Sequence, residues 1–128
     1  MTRRHAWSGS PFEARYGFSR AVRDGDHVHV AGTAPILPGG DVDPDAAAQA
    51  RRCWELVLAA LTDVGAAREH VIRTRMFITD AALADTLGDV HGEVFRGVDP
   101  AATMVVVAGL LDPRWVIEVE ATALVRPI

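Results

Sequence analysis

The clearest periodic stretch runs from Pro44 to Val64, where Cys53, Val57, Ala60, Leu61 and Val64 repeat at the spacing of one buried helical stripe. Asp43 offers an N-cap, Pro44 takes the first helical position, where its missing N–H costs nothing, and Gly65 supplies a stop. The pattern predicts a helix over about 44–64, roughly 31 Å long at 1.5 Å per residue. Elsewhere the period is two. His27-Val28-His29-Val30 alternates polar and apolar, as a strand with one wet face does, and Asp24-Gly25 supplies the positive φ of a tight turn. Segments 15–23 and 26–32 therefore read as a hairpin, followed by a turn-rich loop from Gly32 to Gly40. Val71 to Thr79 reads as a third strand, with Ile72, Thr74, Met76 and Ile78 on one face and Arg73, Arg75 and Phe77 on the other. A second helix is predicted over about 81–95 on Leu83, Leu87, Val90 and Val94, weakened by Gly88. Met104–Leu110 and Trp115–Val125 complete the set as a closing hairpin through Asp112-Pro113.

This order describes an α+β sandwich in which two helices cover one face of a sheet. The other face keeps apolar residues that nothing in the chain covers, which points to self-association. At 128 residues, 49% apolar and 23% charged, the chain is expected to form one globular domain, 1–128. By surface scaling about two-thirds of the unfolded surface can be buried, enough for a core without staples. The single Cys53 excludes an intrachain disulfide and a cysteine-based zinc site. All 13 basic residues are arginine, so Schiff-base lysine chemistry is excluded too. A net charge of −4 argues against a nucleic-acid groove, which needs concentrated basic residues. Met1-Thr2-Arg3-Arg4-His5 leads into no apolar stretch, and no run of 18 apolar residues occurs, so neither signal peptide nor membrane span is expected. With one unpaired cysteine, the expected compartment is the cytoplasm.

Candidate chemistry centres on Glu118 and Glu120, on one face of the last strand and about 7 Å apart. Two such carboxylates can raise one another's pKa and make a general acid/base; alternatively, Arg73 and Arg75 pair with them. His27 and His29 share a face, but no third ligand follows by spacing and no metal is expected. His91 reads as a solvated residue of the second helix. Cys53 falls on the buried stripe, the serines lack a His/Asp partner, and the glycines form neither a phosphate loop nor a dinucleotide fingerprint. No cofactor is expected.

Five segments occur in a telling order: Val28-His29-Val30-Ala31-Gly32-Thr33, Gln49-Ala50-Arg51-Arg52-Cys53, Val71 through Asp80, Pro100 through Val107, and Val116-Ile117-Glu118-Val119-Glu120-Ala121. Together they resemble the reactive intermediate deaminase (Rid, YjgF-like) family across most of the chain. The resemblance implies a chorismate-mutase-like fold, a homotrimer around a central barrel, and ligand clefts between subunits. It also implies hydrolysis of 2-imino acids to 2-oxo acids and ammonia, with an arginine gripping the substrate carboxylate and a glutamate, here Glu118, positioning or activating water. The family's arginine aligns with Ala102, its cleft tyrosine with Phe18, a cysteine with Met104 and an asparagine with Gly88. The implied cleft thus keeps its acid and becomes more apolar, lined by Phe18, Ala31, Gly32, Gly88, Ala102, Thr103, Met104 and Trp115, with backbone N–H groups of Gly32 and Thr103 available to developing charge. Either Arg20, Arg73 or Arg114 replaces the missing guanidinium, or the substrate has no carboxylate to grip. A small imine, enamine or carbonyl-type molecule fits the second reading. A non-catalytic trimer binding a metabolite or a partner protein is the alternative, and the acidic charge disfavours ribonuclease activity.

Overall fold

A computed structural model describes residues 3–126. Met1 and Thr2, part of the reading of the chain's start, lie outside the described residues. In chain order the elements are β1 (Arg3–Ala6), α1 (Pro11–Tyr16), β2 (Ala21–Asp24), β3 (His27–Thr33), α2 (Ala46–Asp63), β4 (Val71–Ile78), α3 (Ala84–Phe95), β5 (Ala101–Val106) and β6 (Ile117–Leu124). One six-stranded sheet results, in the order β1-β2-β3-β6-β4-β5. Every pairing is antiparallel except β4 with β5. The α+β architecture is as expected, with a mixed sheet covered on one face by α2 and α3.

Three expectations about the strands need correction. The closing hairpin does not form: β6 inserts between β3 and β4, while β5 returns across α3 to lie parallel to β4 at the sheet edge. Ten residues separate the two strands, too many for a tight turn to dictate their pairing. The N-terminal strand predicted from residue 15 begins at Ala21 instead, because residues 11–16 form α1. Ser10 caps that helix by accepting from the Phe12 N–H at 3.3 Å, Pro11 occupies its first turn, and Gly17 ends it at φ 74°. On β4, a register irregularity between Val71 and Arg73 turns Ile72 out to solvent while Thr74, Met76 and Ile78 face inward.

The long helix follows its predicted stripe closely. Cys53, Val57, Leu61 and Val64 are wholly buried, and Trp54 and Ala50 join them. Asp45 rather than Asp43 provides the cap, accepting from the Ala48 N–H at 2.9 Å. Cys53 Sγ lies 3.9 Å from the Ile117 carbonyl, on the covered side of β6. Trp54 meets both His91 and Phe95 edge-on. His91 is therefore not a simply solvated residue: it is half-buried, 2.8 Å from the hydroxyl of fully buried Thr74, and burial lowers its pKa.

Along β6 burial alternates strictly, with Ile117, Val119, Ala121 and Ala123 under the helices and Glu118, Glu120 and Thr122 on the opposite face. That open face carries a concavity of about 500 Å³ lined by Phe18, His29, Ala31, Arg73, Arg75 and Glu120, among others. At the β5 edge Val106 remains 56% exposed. Among the described residues, no helix is long and apolar enough to cross a membrane.

Candidate functional site

Glu118 owes its position to an irregularity in its neighbouring strand. The β3–β6 register shifts between Val30 and Thr33, so Ala31 and Gly32 stand out of the regular ladder. The Glu118 carboxylate fills the space over Gly32: a Cβ there would lie 2.5 Å from Glu118 Oε1. Any side chain at this position would have to displace the carboxylate, whereas the backbone itself makes no demand for glycine, since Gly32 has no positive φ. The Glu118 carboxylate accepts no hydrogen bond from any described residue. Burial pushes its pKa up; Arg20 opposes that shift and Glu120 adds to it. A half-buried carboxyl group of raised pKa, free of internal donors, is suited to exchange a proton or orient a water molecule.

Arg20 is the cation of this region. Its Nη1 donates to the Gly32 carbonyl at 3.0 Å, its Nε lies 3.6 Å from Glu13 Oε2, and its guanidinium stands 5.5 Å from the Phe18 ring centroid. Burial lowers its pKa, with Glu13 and then Glu118 holding the charge in place. Glu13 itself is only 4% exposed and accepts from the Ser8 N–H at 3.1 Å and from the Ser8 hydroxyl. Sequence reasoning missed Glu13. The signal was present in Ser10-Pro11-Phe12-Glu13, a serine, a first-turn proline and a glutamate three residues on, which together mark a helix start.

The other expected residues divide between this region and two more. Phe18 lies beside the Arg20 guanidinium, Ala31 donates its N–H to the Arg20 carbonyl at 3.0 Å, and Gly32 lies under Glu118 and accepts from Arg20. Glu120 takes the paired alternative, 3.2 Å from Arg75 Nη1. Arg73 donates from Nη2 to Thr103 Oγ1 at 3.1 Å; its Nε is buried without a partner, and no described carboxylate pairs with it. Gly88 and Met104 meet on the far side of β4, where a Cβ on Gly88 would lie 3.8 Å from Met104 Cε. Ala102, two residues before Met104, shares that strand face and is exposed. Trp115 sits ahead of β6, half-buried, its indole Nε1 buried without a partner. Arg114 is engaged locally, 2.8 Å from Asp112 Oδ2 and 3.5 Å from the Gly40 carbonyl. Within one chain, then, Glu118 and the Ala102 group belong to two separate surfaces with β4 between them. His27 and His29 are exposed on β3, and no cluster of three or more metal-ligating side chains occurs among the described residues.

Residues 9–125 match the family model described as Endoribonuclease L-PSP. An uncharacterized protein of Streptomyces coelicolor, SCO2049, is 37% identical over 94% of this chain and 90% of that protein. Among solved structures, Rv2704 of Mycobacterium tuberculosis, a member of the YjgF/YER057c/UK114 family, superposes with a TM-score of 0.90 at 39% identity, over 97% of this chain and all of that one. Escherichia coli TdcF, solved with bound serine, superposes with a TM-score of 0.81 at 27% identity, over 96% of this chain and 94% of that one.

Proposed function

The chain belongs to the endoribonuclease L-PSP family, the YjgF-like or Rid proteins, and on that premise we propose that it acts on an imine, enamine or carbonyl-type small molecule in a cleft between subunits of a homotrimer. Family membership supports a general small-molecule deaminase or binding role. Glu118 is the acid/base or water-positioning group. The observation that carries this reading is the Glu118 carboxyl group itself, half-buried over Gly32 with no internal hydrogen bond and a raised pKa. The separation of Glu118 from Gly88, Ala102 and Met104 supports a shared cleft, since a second copy can bring its β5 edge to the Gly32 side of the first. TdcF, with its bound serine, supports a small polar ligand for the fold.

The substrate departs from a standard 2-imino acid because the grip on its carboxylate is missing. A guanidinium holds a carboxylate by two parallel hydrogen bonds, and Ala102 offers none. Arg20 is already spanned between Glu13 and Gly32, and Arg114 is paired with Asp112. Arg73 alone of the three has no carboxylate partner among the described residues, so a substitute grip, where one exists, falls to it.

The test is ammonia and 2-oxo acid release from imines generated in place by an amino-acid oxidase. The parent is expected to be silent and Ala102→Arg to gain turnover that Glu118→Ala abolishes. Parent turnover lost in Arg73→Ala would overturn the altered substrate class in favour of a substitute arginine. A metabolite that binds parent and Glu118→Gln equally, with no turnover of any imine, would mark a binding protein.

A further inference from the structure

We propose that Glu13 is a positioning residue for Glu118, acting through Arg20: the buried carboxylate of α1 anchors the guanidinium, and the guanidinium fixes the Gly32 end of β3 on which Glu118 rests. The inference deepens the reading of Glu118 given above and depends on it.

A carboxylate as buried as Glu13 persists only where donors replace its water. Glu13 has them in the Ser8 backbone and hydroxyl, and Arg20 Nε adds an opposite charge at 3.6 Å. These contacts tie the N-terminal segment to the site with little freedom. Arg20 is planar and its donors form a rigid fork, so fixing Nε against Glu13 also fixes where Nη1 meets the Gly32 carbonyl at 3.0 Å. The Glu118 carboxylate, by contrast, accepts no hydrogen bond among the described residues and lies over that same Gly32.

The charges around Glu118 define the arrangement. Arg20 faces it from the segment ahead of β2, with Glu13 behind Arg20 on α1. Glu120 follows on β6 with Arg75 of β4 as partner, and the Cys53 thiol of α2 lies behind the sheet. Arg20 is therefore shared between two carboxylates. Glu13 draws it back and so keeps Glu118 from closing into an ion pair that would fix it as a spectator carboxylate. Releasing Glu13 lets Arg20 move onto Glu118; removing Arg20 leaves Glu118 without its nearest positive charge.

Carbon-13 NMR titration of the Glu118 side-chain carboxyl in the full chain tests this without any substrate. Arg20→Met is expected to raise the titration midpoint and Glu13→Gln to lower it, each by about one pH unit, tenfold in proton affinity. In the Arg20→Met background Glu13→Gln is expected to change nothing further. Equal shifts from Glu13→Gln with and without Arg20, or shifts of the same sign from both single variants, would overturn the proposal. Should Glu13→Gln not fold, Arg20→Lys decides alone: it keeps the charge and loses the fork, so a shifted midpoint supports positioning and a parental midpoint overturns it. A parental midpoint at the ordinary carboxylate value sinks the acid/base reading of Glu118 instead. A raised midpoint indifferent to all these variants sinks only the role of Glu13.

Discussion

The surface around Gly32 and the surface around Gly88 differ in how much each glycine is needed. At Gly32 the missing side chain is the site, because a carboxylate occupies its place at 2.5 Å. At Gly88 the neighbour is a methionine methyl group at an ordinary 3.8 Å, so the absent Cβ protects nothing. The first surface is wired by charge through Glu13, Arg20 and Glu118. The second, with Ala102 and Met104, has no charged side chain among its three residues. Chemistry is concentrated where polar groups constrain one another, and the bare surface is left to shape. An open, apolar wall opposite an organised acid suits a ligand selected by size rather than by its charge.

Removing the acid should produce the largest effect. Glu118→Gln is expected to lower turnover of whatever imine or carbonyl substrate proves active by about 10²–10⁴-fold, the usual share of a general acid/base. The same variant is expected to melt higher than the parent at neutral pH. Because its pKa is raised, the folded chain binds the Glu118 proton more tightly than the unfolded chain. Its contribution to stability therefore falls as pH rises from the ordinary carboxylate value of 4.5 through the raised one. Thermal melts across pH should show that decline in the parent and not in Glu118→Gln.

A smaller loss is expected from Gly32→Ala. The new methyl group must push the carboxylate aside, and misplacement of a reacting group by about an ångström costs about 100-fold in rate. Steady-state kinetics with an intact fold would show it, and parental rates would break the distinction between the two glycines. Smallest of all is Gly88→Ala. With a helical backbone and room for the methyl group, it is expected to stabilise the chain by about 1 kcal/mol, a rise of about 4 °C in melting temperature. Destabilisation there would show that the second surface is as tightly specified as the first.

Helix α2 was readable because periodicity, a stop glycine and a cap region all agree over one uninterrupted stretch. Even there the cap shifted by two residues, since Asp43 and Asp45 both carry the side chain a cap needs and only backbone geometry separates them. Glu118 and Glu120 were legible as a same-face pair because a strand's period of two is unambiguous. Which acid would stay unpaired was not legible, since it depends on register: β6 sets Arg75 opposite Glu120 and Phe77 opposite Glu118. The place of β6 between β3 and β4 was hidden for a related reason, as local pattern identifies strands without identifying their partners. Strand β1 escaped altogether: of Arg3, Arg4, His5 and Ala6, only Ala6 is buried, so no alternation announces it. Glu13 was not legible either: the strand expected over 15–23 overlaps the end of α1, and no helix is expected over the residues before it.

Cys53 gives the fold an internal gauge. It is the chain's single thiol, wholly buried against the Ile117 carbonyl immediately before Glu118, and burial raises its pKa far out of the reactive range. A thiol reagent added to the native protein can react there only when α2 lifts from β6. The labelling rate of the unmodified chain thus times the opening of the contact behind the acid, and a ligand that quiets that motion would announce itself by slowing the reaction.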